Sequence, residues 1–460
     1  MIDERALDEA VLLIGAQLAG GLPPPIRHPG RALDDRAMEL ASRDRALQAA
    51  LFRLVDVVPA CRDSDDLALH LIGFLGELDD APAPIEAVRR LGDTRAGRRA
   101  LGAAAAAGVR HMAHRFIVGE TPSAALPTLG RCWRQGVASS VDLLGEATVT
   151  AAEADSYARR CAQALDVLTA ESRRWPARPD LEADGAGPVA RANLSVKVSA
   201  LTFLLRPEAP ERGRADAGER LRPLLRRARE RGAHLHVDME TLDSREAVLG
   251  LVLELLAEPE FRSGPSAGLV VQAYLRDSPE TLDTVLAWTR DAGARRVTPL
   301  TIRLVKGAYW DHEVIEARRH GWAPPVFADK AACDANFETL SRRLLDARPA
   351  VRVAIASHNL RSVAHAIAWS RLSGAADSDL ELQVLRGLGD PLAAALAAQK
   401  LRVRAYCPVG DLVAGMAYLV RRLLENTANE SFLHEQARGE PLERLLRRPI
   451  PEHVVGVPSA

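Results

Sequence analysis

The chain has 460 residues, enough for a large barrel with an appendage, and its 47% hydrophobic and 26% charged content is that of a globular protein with a sizeable core. A formal net charge of −1 provides no overall field to draw nucleic acid or an anionic membrane surface. Five scattered cysteines (Cys61, Cys132, Cys161, Cys333, Cys407) include no CxxC pair, which argues against a disulfide framework or a zinc site and fits a reducing compartment.

The N-terminus, MIDERALDEAVLLIG, is acidic ahead of its apolar run, unlike the basic start of a signal peptide. No uncharged apolar run reaches the roughly 18 residues a membrane span needs, so a cytoplasmic protein is expected. From about residue 4 to 120 the pattern is helical. Apolar residues recur at spacings of three and four (Leu7, Val11, Ile14, Leu18, then Leu47, Leu51, Leu54, Val55). Breaks fall at GGLPPP (20–25), near Pro59 and at APAP (81–84), and the Ala-rich stretch 101–121 is helix-prone as far as Gly119. No local motif for chemistry stands out here. Residues 1–130 are therefore expected to form a helical arm or cap, serving packing or homo-oligomerisation.

From about residue 137 strand and helix alternate. The strand candidates are 137–144, 193–201, 234–240, 269–275, 300–306, 351–359, 380–387 and 402–410. Helical stretches between them are 146–170, 218–231, 244–257, 279–292, 334–347 and 361–371, and 172–190 reads as a loop rich in Pro, Gly and charge. Eight apolar strands alternating with helices predict an α/β fold, a closed (β/α)8 barrel over 131–435 with a C-terminal tail at 436–460. An open doubly wound sheet is the alternative, but no GxGxxG follows an early strand.

In such barrels chemistry gathers at the C-terminal ends of the strands. Those ends hold Lys197 and Ser199, Asp238 and Glu240, Gln272 and Tyr274, Lys306 and Tyr309, Ser357 with His358 and Asn359, Gln383, and Tyr406. Singly each has a structural explanation: His358 can close a turn, and Asp238 can cap a helix. In series they point to a ligand site. The most telling stretch is LTIRLVKGAYWDHE (300–313), a buried strand carrying Arg303 in its middle and ending at Lys306-Gly307 before two aromatics. A charge there is costly unless paired, and the group suits an anionic or π-rich ligand; a snorkelling arginine is the plainer reading. Lys occurs only at 197, 306, 330 and 400, every other basic residue being Arg, and Lys197 and Lys306 both end strand-like runs. His234 and His236 flank a strand residue, but without HExxH or a Cys pair no metal is expected. Ser199 and His358 lack a GxSxG elbow. A Schiff-base lysine at 197 or 306 near Asp238, as in an aldolase, stays open. The helix 412–426 has an apolar stripe, with Arg421 and Arg422 off it and Glu425 one turn after Arg421. This is either a solvated face or a forked grip on a carboxylate.

The motifs RLVKGAYWD, NLSVKVSAL, DME, LVVQAY, SHN, CPVG and YLVRRLLEN with ANESF occur in the chain. Together they resemble the proline dehydrogenase domain of the bifunctional proline utilisation A flavoenzymes, from RFIVGET (115–121) through DLLGEA (142–147) to Phe432. The resemblance implies a distorted (β/α)8 barrel binding FAD noncovalently and oxidising L-proline to 1-pyrroline-5-carboxylate. It implies Arg303 near flavin N5, Gln272 hydrogen-bonded to the flavin, and Val305, Lys306, Gly307, Ala308, Tyr309 and Trp310 in the cofactor cradle, with Lys330 at the phosphates. Asp238, Ser357, His358, Asn359, Gln383, Glu425, Ser431 and Phe432 are implied as further cofactor contacts. For the substrate it implies Lys197, Arg421 and Arg422 on the carboxylate, with Asp238, Tyr309, Leu385 and Tyr406 as walls and orienting groups. Glu146 is implied as a gate pairing with Arg421. Electrons would leave to a membrane quinone, with peripheral membrane contact, and a separate or fused dehydrogenase would take the product. A flavin- and proline-binding module without catalysis is a third possibility beside the oxidase and the aldolase.

Two departures from the family pattern are visible. Asp329 stands beside Lys330 where two adjacent basic residues are expected, leaving Lys330 to face the phosphates alone. The chain ends 25 residues beyond Glu435, without the family's aldehyde dehydrogenase half, and no ribbon-helix-helix segment precedes the arm. It is either a free-standing oxidase or the front of a longer protein.

Overall fold

A computed structural model describes residues 2–22, 47, 50, 53–54, 57–78, 83–145, 148–411, 415 and 441–451. Eight parallel strands close a barrel: β1 (Val137–Leu143), β2 (Asn193–Val196), β3 (His234–Val237), β4 (Ser266–Gln272), β5 (Leu300–Val305), β6 (Val351–Ala356), β7 (Leu380–Leu385) and β8 (Arg402–Val409). Each strand pairs with the next in sequence and β1 closes against β2 and β8. All eight fall within the predicted segments, except that β4 begins three residues early. The strands of the prediction were long at their C-terminal ends, because the polar residues there continue the alternation after the ladder has stopped.

One face of each strand from β2 to β7 is aliphatic and buried: Leu194 and Val196, Leu235 and Val237, Leu269 and Val271, Ile302 and Leu304, Val353 and Ile355, Leu382 and Val384. Burying each such side chain contributes about 1.5–3 kcal/mol, so this shell carries the stability of the barrel. The other face is unusually polar. Arg303 of β5 reaches hydroxyls of Ser140 on β1 and Ser195 on β2, contacts possible only across the interior. Barrel interiors are ordinarily filled by branched aliphatic layers. Here Ser140, Asn193, Ser195, His234, His236, Arg303, Gln383 and Arg404 are buried instead.

The described residues form two compact units, one holding the barrel from Leu126 to Cys407 with the first helix, the other holding the described residues between Pro23 and Ala125 and those following Cys407 up to Glu430. The helix Glu4–Gly20, which sequence order groups with the arm, packs on the barrel helix Leu360–Leu372. Its stripe of Leu7, Val11, Ile14 and Leu18 is buried as the periodicity predicts. Arg361 fastens it, donating to Glu338, Asp8 and the Leu446 carbonyl. In the second unit the helix Arg95–Phe116 spans the Ala-rich tract and packs against Ser64–Gly76.

The segment 172–190, read as a loop, holds a short helix, Pro179–Glu182, and a hairpin pairing Ala183–Asp184 with Gly187–Pro188. The hairpin sits at the N-terminal end of the barrel because Asp184 accepts from Arg352 at 3.0 and 3.1 Å and from Arg402 at 3.3 Å. The helices Trp310–His320 and Asp390–Ala398 were absent from the sequence reading. The first buries only Glu313, Val314 and Ala317, too few for an amphipathic signal. Among the described residues no helix is long and apolar enough to cross a membrane.

Candidate active site

At the C-terminal ends of the strands, Asp238 organises a buried cluster. It follows β3 and divides its carboxylate: Arg303 Nη1 donates to Oδ1 at 2.7 Å and the Tyr406 hydroxyl to Oδ2 at 2.6 Å. The Arg303 guanidinium also lies over the Tyr406 ring, 5.4 Å from its centre. Lys197, just beyond β2, lies 4.0 Å from Asp238 Oδ2 but 2.5 Å from Asp142 Oδ1 on β1. Burial works against the charge of Lys197, yet Asp142 and Asp238 outweigh it and hold the ammonium above the ordinary lysine range. Burial, reinforced by the charges of Asp142 and Asp238, pushes the Tyr406 phenol well up, so it acts as a neutral donor.

A second layer supports these groups. The Gln272 amide nitrogen donates to the Glu240 carbonyl at 2.9 Å, and the Glu240 carboxyl accepts from the Ser199 hydroxyl at 2.8 Å. Burial raises the pKa of Glu240. Gln272 Oε1, Arg303 Nε and Asp142 Oδ2 are buried without a hydrogen-bond partner among the described residues. Such groups cost about 1–3 kcal/mol each unless something meets them.

Beside this cluster β5 runs into Lys306 and Gly307. Gly307 has φ +135°, and a Cβ there would overlap the Tyr274 ring, so only glycine fits. Lys306 and Lys330 converge on one carboxylate, Asp334, Lys330 Nζ at 3.2 Å. Asp329 caps the helix Lys330–Asp346, accepting from the Ala331 and Ala332 amides at 3.0 and 3.1 Å. The carboxylate that departs from the family pattern is therefore engaged with its own helix. Val305 and Ala308 flank Lys306 and Gly307, and all four are half-buried. Tyr309 packs with Tyr274, Leu275 and Val326. Trp310 opens the next helix, its Nε1 donating to the Phe327 carbonyl at 2.9 Å while 40% of the residue stays exposed.

After β6, the Ser357 hydroxyl accepts from the Asn359 amide, Asn359 caps the helix Leu360–Leu372, and His358 Nε2 accepts from the Leu385 amide at 2.9 Å. Gln383 stands apart. Its amide nitrogen is turned to Glu381 at 2.6 Å, and the residue lines a cavity in the lower barrel. Glu146, Arg421, Arg422, Glu425, Ser431 and Phe432 lie outside the described residues. The structure thus brings Lys197, Asp238, Gln272, Arg303 and Tyr406 together. Sequence reasoning missed Asp142, Ser140, Ser195 and Asp334. Period-two alternation along β1 and β2 carries Ser140, Asp142 and Ser195, and the i,i+4 spacing from Lys330 carries Asp334.

His234 and His236 lie deeper in the barrel, His234 Nε2 3.2 Å from His236 Nδ1 and His234 Nδ1 2.8 Å from the Ser266 hydroxyl. Burial, with Arg404 and Arg303 nearby, lowers His234 to about 3 and His236 well below the usual histidine range, so both are neutral.

Comparison with known proteins gives this geometry a family. The proline dehydrogenase family model matches residues 125–435, and the model of the proline utilization A N-terminal domain matches 8–116. The bifunctional protein PutA of Salmonella typhimurium is 33% identical over 353 residues, covering 74% of this chain and 25% of that protein. Proline dehydrogenase 1 of Bacillus subtilis (strain 168) is 26% identical over 331 residues, covering 72% of this chain and 92% of that protein. The solved structure of proline utilization A from Bdellovibrio bacteriovorus, inactivated by N-propargylglycine, superposes with a TM-score of 0.86 at 32% identity, over 97% of this chain and 46% of that one. The chain spans about a quarter of the bifunctional relatives it matches. It belongs to the proline dehydrogenase family of oxidoreductases.

Proposed function

We propose that this chain oxidises L-proline to 1-pyrroline-5-carboxylate, using noncovalently bound FAD and passing electrons to a quinone. The observation that carries this reading is the Asp238 cluster, in which a carboxylate, a guanidinium, a phenol and an ammonium from four strands surround unpaired polar atoms. Gln272 Oε1 offers a buried acceptor and Arg303 Nε a buried donor, and the edge of an isoalloxazine carries both complementary functions. The residues present therefore fit the flavin. When bound, it supplies the acceptor for the hydride leaving the carbon beside the substrate nitrogen.

The chain's own groups supply position and charge. Gln272 and Arg303 hold the ring, Lys306, Gly307, Ala308 and Trp310 form the cradle beside it, and Lys330 serves the phosphates. Lys197, joined by Arg421 and Arg422, grips the substrate carboxylate; Tyr309, Leu385 and Tyr406 bound the pocket. A charged guanidinium beside the ring stabilises negative charge as it develops. Fixing carboxylate and ring in line makes the transfer effectively unimolecular. Val305, Ser357, His358, Asn359, Glu425, Ser431 and Phe432 complete the cofactor surroundings, and Glu146 with Arg421 forms a gate; Gln383, turned down to Glu381, is left out of them. The product would pass to a 1-pyrroline-5-carboxylate dehydrogenase, separate or fused, and the quinone would be met at the inner face of the membrane.

The aldolase reading loses support at Lys197. A Schiff-base lysine needs a free amine, whereas Asp142 and Asp238 keep this one protonated. The test is an assay of the FAD-loaded protein with L-proline and a soluble quinone, trapping the cyclic imine with o-aminobenzaldehyde. Imine formation dependent on proline and FAD is expected. Bound flavin without imine would leave the binding-module reading in its place.

A further inference from the structure

Lys197 leans on one partner. Its Nζ lies 2.5 Å from Asp142 Oδ1, and the Asp142 side chain is 0% exposed while that of Lys197 is 15% exposed. Asp238 is the weaker counter-ion, 4.0 Å away and with both oxygens already accepting from Arg303 and Tyr406. Asp142 has no competing described partner, since its Oδ2 is buried without a hydrogen bond. Elsewhere in the barrel Arg404 completes both oxygens of Glu381 at 2.9 Å, whereas Asp142 Oδ2 is left open. The Asp142 pair is left half-made, with its cation at the edge of the mouth.

We infer that Asp142 is a positioning residue for proline oxidation, keeping the Lys197 ammonium charged and turned towards the substrate carboxylate. The inference rests on the proline-oxidation reading above. A buried ammonium without a counter-ion loses its proton, because burial penalises the charged form, and a neutral amine is a poor partner for a carboxylate. The groups facing Lys197 make Asp142 decisive. From β3 and beyond come Asp238 and Glu240, the first committed elsewhere and the second bound to Ser199. From the helix Ala151–Ser172 come Tyr157, whose hydroxyl accepts from the Lys197 amide at 3.3 Å, and Cys161, both pushed up by burial and therefore neutral. Across the mouth stand Arg303 and Tyr406, neither able to replace a missing anion.

The experiment exploits the chain's four lysines. The FAD-loaded protein is produced with lysine labelled with carbon-13 at Cε, the Lys197 signal is assigned with Lys197→Arg, and its titration is followed by NMR in wild type and Asp142→Asn. The Lys197 midpoint is expected to fall by at least about one pH unit in Asp142→Asn. The KM for L-proline should rise more than about tenfold above the new midpoint, with kcat changed less than about threefold. Asp142→Glu, which restores the carboxylate, should bring the midpoint back and guards against a fold lost through Asn. An unmoved Lys197 midpoint in Asp142→Asn would overturn the inference, as would a KM that rises equally at every pH. A wild-type protein inert towards proline would sink the functional reading instead, while the titration would still report on the Asp142–Lys197 pair.

Discussion

At the N-terminal end of the barrel Arg404 grips Glu381 at 2.9 Å on both oxygens and Arg352 grips Asp184 in the same manner, whereas at the C-terminal end Asp238 splits its oxygens between Arg303 and Tyr406 and leaves Lys197 at 4.0 Å. Both ends bury charge. The lower end closes it into forked pairs under the 183–188 hairpin, around a cavity of about 30 Å³ that suits a single water. The cavity accounts for what little stays open there, Arg402 Nε and His236 Nε2, as a water could meet them. The upper end leaves a donor and an acceptor open across separate strands, Arg303 Nε and Gln272 Oε1. Burying a charge is costly wherever it occurs, so the difference lies in what repays it: protein partners below, a ligand above.

That contrast predicts a separation of effects. The largest is expected at the lower end. Asp184→Asn strips Arg352 and Arg402 of their shared counter-charge and should cost about 3–5 kcal/mol of stability, read from denaturant unfolding, with KM for proline unchanged in the folded fraction. A substantial change in KM with little loss of stability would reverse the assignment. At the upper end Arg303→Met should lower kcat/KM at least about 100-fold, or reduce the flavin retained through gel filtration. Wild-type values for both would remove Arg303 from the site. The buried histidines, His234 and His236 in β3 and His365 in the helix Leu360–Leu372, set an acid limit for the barrel as a whole. His234 and His365 are lowered to about 3, chiefly by burial, and His236 is lowered well below its usual range. The unfolded chain takes up these protons below about pH 6.5 and the folded chain does not. Stability is therefore fully present above that pH and falls as pH drops towards 3, by about 1.4 kcal/mol per unit for each histidine. A melting temperature flat from pH 6.5 to 5 would contradict this. The smallest effect expected is about a tenfold rise in the KM for proline in Arg421→Met, the loss of one charge-assisted carboxylate contact. An unchanged KM would take Arg421 out of substrate binding.

The barrel was legible because strands such as LTIRLVK and VRVAIA are short and β-branched, which few other structures accommodate. The same strands hid their interior. Asp142, Ser140 and Ser195 sit among apolar neighbours, and nothing local tells an inward polar residue from an outward one until the barrel closes. The helix Trp310–His320 was hidden for the opposite reason, being mostly polar, with only Val314 and Ala317 of its apolar residues buried. Gln383 illustrates a limit of motif reading: it was grouped with the strand-end residues of the mouth, but it lies inside β7 and its amide nitrogen turns down to Glu381. The roles of Arg421 and Arg422 came from resemblance alone, since the spacing in 412–426 is equally that of a solvated face.

The central claim, that the open polar atoms around Asp238 belong to a flavin reduced by proline, is tested most directly by an anaerobic absorption spectrum of the FAD-reconstituted protein before and after L-proline is added. Oxidised flavin bands are expected to bleach on addition of proline and to return when a quinone is admitted. Bands that persist unchanged in excess proline would contradict it.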